Sequence, residues 1–72
     1  MAEAIRYVRD GWEEGSMKIV EYRDGKPVHV WRGYFNGGNH VRLYPRHPWQ
    51  GVWDGRERKP MVLSVWEIKN SI

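Results

Sequence analysis

Two turn-forming clusters, Asp24-Gly25 and Asn36-Gly37-Gly38-Asn39, separate three runs rich in β-branched and aromatic residues, and their spacing constrains this chain more than any other feature. A two-residue type I′ hairpin loop needs positive φ at both central positions, which Asp-Gly adopts at low cost. The Asn-Gly-Gly-Asn cluster offers the same chemistry. Met17 to Tyr44 therefore reads as three antiparallel strands: Met17 to Arg23, Pro27 to Phe35 and His40 to Tyr44. Pro27 opens its strand, where a missing N–H costs least. Gly33, inside the same strand, marks a bulge or bend.

The turns also imply a register. With Asp24-Gly25 and Gly37-Gly38 as the loop residues, Glu21 faces Val28, Ile19 faces Val30, Lys18 faces Trp31, Tyr34 faces Val41 and Trp31 faces Tyr44. Side chains alternate with period two. One face then carries Met17, Ile19, Val28, Val30, Tyr34, Val41 and Leu43, with Glu21 and Arg32 as polar exceptions, and is the expected core. The other carries Lys18, Val20, Tyr22, His29, Trp31, Phe35, His40, Arg42 and Tyr44, a mixture of rings and cations. The assignment depends on register, because a slip of one residue turns a whole strand over.

Outside this unit the signals are shorter. Ala4 to Arg9 fits a short strand better than a helix, since six residues are few for a stable helix. Asp10 to Ser16 reads as a loop containing Trp12. Pro45 to Pro60 is irregular, with a short strand possible at Gln50 to Trp53 and a solvated charge run at Arg56-Glu57-Arg58-Lys59. A loop of that length is uncommon in a compact domain and is often functional. Met61 to Ile68 reads as one strand, apolar on both faces. About five strands in one small domain, residues 1–72, suit an all-β antiparallel meander curled into an SH3-like or OB-like barrel.

A chain of 72 residues buries a thin core, and its five Trp, four Tyr and one Phe compensate with large ring areas. There is no cysteine, which excludes a disulfide framework and a thiolate zinc site. Twelve Lys and Arg against nine Asp and Glu give a net charge of +3, compatible with an anionic partner without requiring one. No apolar run approaches the roughly 18 residues of a membrane span, and the start of the chain has no apolar leader. The expected location is cytoplasmic.

Four kinds of site follow from these residues. The ring-and-cation face, extended by Arg46 and Trp49, suits single-stranded nucleic acid or RNA: rings stack on bases and cations meet phosphates. Its expected contacts are Lys18, Tyr22, His29, Trp31, Phe35, His40, Arg42, Tyr44, Arg46 and Trp49. The competing account makes the same rings a second core, covered by Trp12, Trp49, Trp53 or another subunit. The Trp-rich loop from Arg46 to Trp53 has the composition of a protein hot spot. Catalysis would rest on His29, His40 or His47, the last oriented by Asp54 or Glu57, but no accompanying nucleophile set is present. Glu21 or Asp24 with His29 and His40 match no closed zinc spacing. No phosphate-binding glycine loop or RNA-recognition consensus occurs. The expectation is a non-catalytic binding module without cofactor, whose partner is nucleic acid or, alternatively, a protein met through the same aromatic face and the Trp-rich loop, either a second copy of the chain or a larger protein that it inhibits or adapts.

Overall fold

The computed structural model describes residues 4–13, 15–46 and 51–70. His47 and Trp49 lie outside the described residues. The chain is all-β and barrel-like: β1 (Ile5–Glu13), β2 (Ser16–Arg23), β3 (Lys26–Phe35), β4 (His40–Arg46), β5 (Met61–Ser64) and β6 (Ile68–Lys69) form one sheet in the order β5-β4-β3-β2-β1-β6. β1 is a strand, and it extends through most of the segment read as a loop, with a register shift between Arg9 and Trp12. β6 runs parallel to β1, so the sheet is a meander with one added parallel strand.

The segment read as a single strand from Met61 to Ile68 is instead β5, a 3-10 turn at Val65–Glu67, and β6. This break curls the sheet. β5 and β6 sit at opposite ends of the strand order. In a flat sheet those ends would lie about 24 Å apart, at roughly 4.8 Å per strand. Four residues of chain from Ser64 to Ile68 reach at most about 14 Å. The edges must therefore approach each other, and the sheet forms a half-barrel. Glu67 accepts a hydrogen bond from the Ser64 backbone N–H at 3.1 Å and holds the turn.

The first hairpin turn is as its chemistry predicts. Asp24 has φ 51° and Gly25 has φ 83°, and Arg23 pairs with Lys26. The register then departs from expectation twice. Tyr22 pairs with Pro27, but Glu21 pairs with His29, so Val28 is an extra residue and forms a β-bulge. At the second turn Phe35 pairs with Val41, not His40, and the Asn36 N–H donates to the His40 carbonyl at 3.0 Å. The loop is Gly37 to Asn39, one residue longer than a two-residue hairpin. The two shifts cancel between β2 and β4. Only β3 is turned over.

The consequence is a different core. Met17, Ile19, Val41 and Leu43 are buried on the concave face, as expected, but Trp31 joins them in place of Val30. Tyr7, Met61, Leu63, Val65 and Ile68 pack around this cluster. Val30 lies on the opposite face, in register with Val20 and through it with Val8, and all three are buried. Gly33 marks neither bulge nor bend, contrary to expectation. It pairs regularly with Met17 and Leu43. A Cβ there would lie 3.1 Å from Ile19 Cγ1 and 3.2 Å from Leu43 Cδ2, so glycine leaves room for the core.

Candidate nucleic-acid interface

Turning β3 over rebuilds the convex face. Lys18 and Tyr22 on β2 and Arg42, Tyr44 and Arg46 on β4 keep the face assigned to them. Arg32 and Tyr34 arrive from β3, while His29, Trp31 and Phe35 leave it. Arg32 pairs with Tyr44 and Tyr34 pairs with Arg42, so Arg32-Gly33-Tyr34 and Arg42-Leu43-Tyr44 run antiparallel and place an arginine opposite a tyrosine twice. Directly opposite side chains lie about 5 Å apart at Cβ and diagonal ones about 7–8 Å. The two tyrosine rings are such a diagonal pair, edge to face, with centroids 5.7 Å apart at 74°. Arg42 Nη1 donates to the Tyr44 hydroxyl at 3.4 Å. Both rings remain exposed.

These residues line an open recess of about 660 Å³, which Arg46 and Phe35 also border. Among the described residues no carboxylate lines it. Arg32 Nε is shielded from solvent and makes no hydrogen bond. A buried guanidinium nitrogen without an acceptor is costly.

Apart from Phe35 at the rim, the remaining expected contacts are not brought to this place. Lys18 is ion-paired to Asp10 at 3.5 Å. Tyr22 borders a separate recess with Arg6 and Val8, beyond the row of valines. His40 is exposed and pairs with Ser64 at the far end of β4. Phe35 is 62 % exposed at the rim. His29 is fully buried and stands edge-on to Trp31, with ring centroids 5.0 Å apart. Neither His29 nor Trp31 can meet a ligand on the convex face. Arg32 and Tyr34 were missed because the register assigned them to the core. The repeated Arg-x-Tyr tripeptide was the signal that could have found them.

A second polar cluster lies on the concave side. Glu21, 1 % exposed, accepts hydrogen bonds from Trp31 Nε1 at 3.0 Å, Arg23 Nε at 2.9 Å and Arg58 Nε at 3.1 Å. Arg58 also grips Asp54 with both terminal nitrogens, each at 2.9 Å. The expected solvated charge run is therefore wrong at Arg58, whose side chain is only 9 % exposed. Burial alone would raise the Glu21 pKa, but the donated hydrogen bonds of Arg23, Trp31 and Arg58 lower it below the ordinary value. The Arg58 hydrogen bonds hold the Asp54 carboxyl well below its usual range. Burial, helped by the Glu21 charge, raises the Tyr7 pKa.

This network ties the long connection to the barrel. The Asp54 N–H donates to the Val28 carbonyl at 2.9 Å, and Trp53 bridges to His29. Hydrogen bonds within the structure thus engage both Glu21 carboxylate oxygens and all three Arg58 guanidinium nitrogens. Among the described residues no group of three or more His, Asp or Glu side chains could hold a metal ion, and no helix is long and apolar enough to cross a membrane. Compared with protein-family models, curated proteins and solved structures, the chain matches none.

Proposed function

We propose that this protein is a small, non-catalytic, cytoplasmic module that binds single-stranded nucleic acid on its convex face. The observation that carries the reading is the antiparallel pair Arg32-Gly33-Tyr34 and Arg42-Leu43-Tyr44, two exposed rings interleaved with guanidiniums around a recess free of described carboxylates. Rings of this kind stack on any base, worth roughly 1–3 kcal/mol per base, while arginines meet the phosphates. Fluorescence anisotropy with labelled single-stranded RNA and DNA tests it. Binding should weaken with salt, with a log–log slope of about −2 for three phosphate contacts. Tyr44→Ala should weaken binding about tenfold, and Trp31→Phe should leave it unchanged. Binding that is absent, or that ignores salt and Tyr44, overturns the proposal.

A second reading, a protein-interaction module, draws on a different surface. Trp66 is 74 % exposed, Val62 is exposed on β5, and among the described residues β5 has β4 as its only strand neighbour. Exposed apolar side chains beside an unpaired sheet edge favour strand addition by a partner or a second copy. Light scattering separates the two readings: a dimer lost on Val62→Lys supports the second.

A further inference from the structure

We propose that the recess on the convex face is a nucleotide site that recognises a phosphomonoester, so that the module reads a phosphorylated strand end in preference to the interior of a strand. This rests on the nucleic-acid reading above and narrows it. Three features of the recess point this way. The first is size and shape. A volume of about 660 Å³ lies within the roughly 300–1,000 Å³ typical of small-molecule sites, and the recess is local to β3 and β4. A module that tracks a strand's interior presents a continuous charged groove instead. Here Lys18 is paired with Asp10 and Tyr22 borders a different recess, so these two residues do not extend the recess across β2.

The second feature is charge. Two guanidiniums, Arg32 and Arg42, border one recess without a described carboxylate in its lining, and Arg46 stands at its edge. Arg32 lies diagonal to both others, since its cross-strand partner Tyr44 stands two residues from each. An internal phosphodiester carries one negative charge. A terminal phosphomonoester carries about −1.5 to −2 at pH 7, with a second pKa near 6, and offers three strong acceptor oxygens. A pair of guanidiniums matches the second better than the first. Guanidiniums also suit the geometry, because their planar donor forks pair with phosphate oxygens two at a time.

The third feature is the Arg32 Nε atom. It is screened from water and has no hydrogen-bond acceptor among the described residues. Turning the Arg32 side chain toward a phosphate in the recess would give Nε the acceptor it lacks. Tyr34 and Tyr44 then stand beside the phosphate, where a base attached to it can stack.

The test compares one octamer of uridine RNA in three forms: 5′-phosphorylated, 3′-phosphorylated and with hydroxyls at both ends. Uridine monophosphate and inorganic phosphate serve as free-ligand arms. At fixed salt and pH 7.5, one phosphorylated form should bind at least tenfold more tightly than the hydroxyl form. That preference should shrink as pH falls below about 6, where the monoester loses its second charge. Arg32→Lys and the exposed Arg42→Ala, each checked for native circular dichroism, should abolish the preference. Equal affinity for all three octamers overturns the phosphomonoester site while leaving the strand-binding proposal intact. Phosphate-dependent binding of uridine monophosphate with no gain from the octamer supports the site and overturns strand binding. Binding of none of the probes overturns both.

Discussion

Glu21 illustrates what a single buried carboxylate does in a chain this small. It is held by an indole and two guanidiniums, and one of those, Arg58, comes from 37 residues away. Removing one member of a buried ion pair leaves the other uncompensated and typically costs about 3–5 kcal/mol. Arg58→Ala should cost about 3 kcal/mol, at the low end, because Arg23 and Trp31 still donate to Glu21. For a domain of this size that corresponds to a fall in Tm of roughly 12–24 °C, measurable by calorimetry. The neighbouring Arg56, more than half exposed, should be replaceable by alanine at little cost. Gly33→Ala is the steric counterpart. The added methyl meets Ile19, Leu43 and Val41 within 3.1–3.3 Å, and overpacking should cost about 1–3 kcal/mol by urea denaturation.

At the scale of the element, β3 decides which rings are available. Its turned-over register buries Trp31 and exposes Tyr34. Acrylamide quenching reads this directly. Trp31→Phe should remove a blue-shifted, poorly quenched component of the emission, and Trp66→Phe should remove a red-shifted, readily quenched one. A Trp31 signal that quenches as easily as that of Trp66 would contradict the observed register. Much of this element's surroundings was legible. Asp24-Gly25 specified its own turn, the strands from Met17 to Tyr44 form, and β2 and β4 present the expected faces. The bulge was not legible. Nothing in Pro27-Val28-His29 distinguishes a regular strand start from one with an extra residue, because the bulge is stabilised from outside, by Asp54 and by the indole and carboxylate it brings together. The second turn hid its length for a similar reason: Gly37-Gly38 suits a two-residue loop as well as the first part of a three-residue one. Two aromatic, basic sets of residues were therefore possible, and alternation alone could not choose between them. Arg58 was illegible because a charge run carries no mark of which member finds a buried partner.

For the whole molecule, the ionic network makes stability depend on pH in a definite sense. Glu21 and Asp54 have folded-state pKa values below their unfolded ones. Their contribution is fully present above the unfolded values of about 4.3 and 3.9, and is lost as pH falls through the lower folded values. The urea midpoint should be flat from pH 7 to about 5 and fall progressively below pH 4, and Glu21→Gln should shallow that fall. Tyr7 has the opposite sign, with a raised folded pKa, so it withdraws stability only as pH rises beyond about 10. The two register shifts act at the same scale. The bulged Val28 presents its carbonyl to Asp54 N–H, and the added loop residue Asn39 presents its own to Val65 N–H at 2.8 Å. Each irregularity in the hairpins is thus the receptor for a segment of the chain that is synthesised later. A hairpin closed one residue out of step would displace the carbonyls that Asp54 and Val65 meet, so these two bonds favour the observed register.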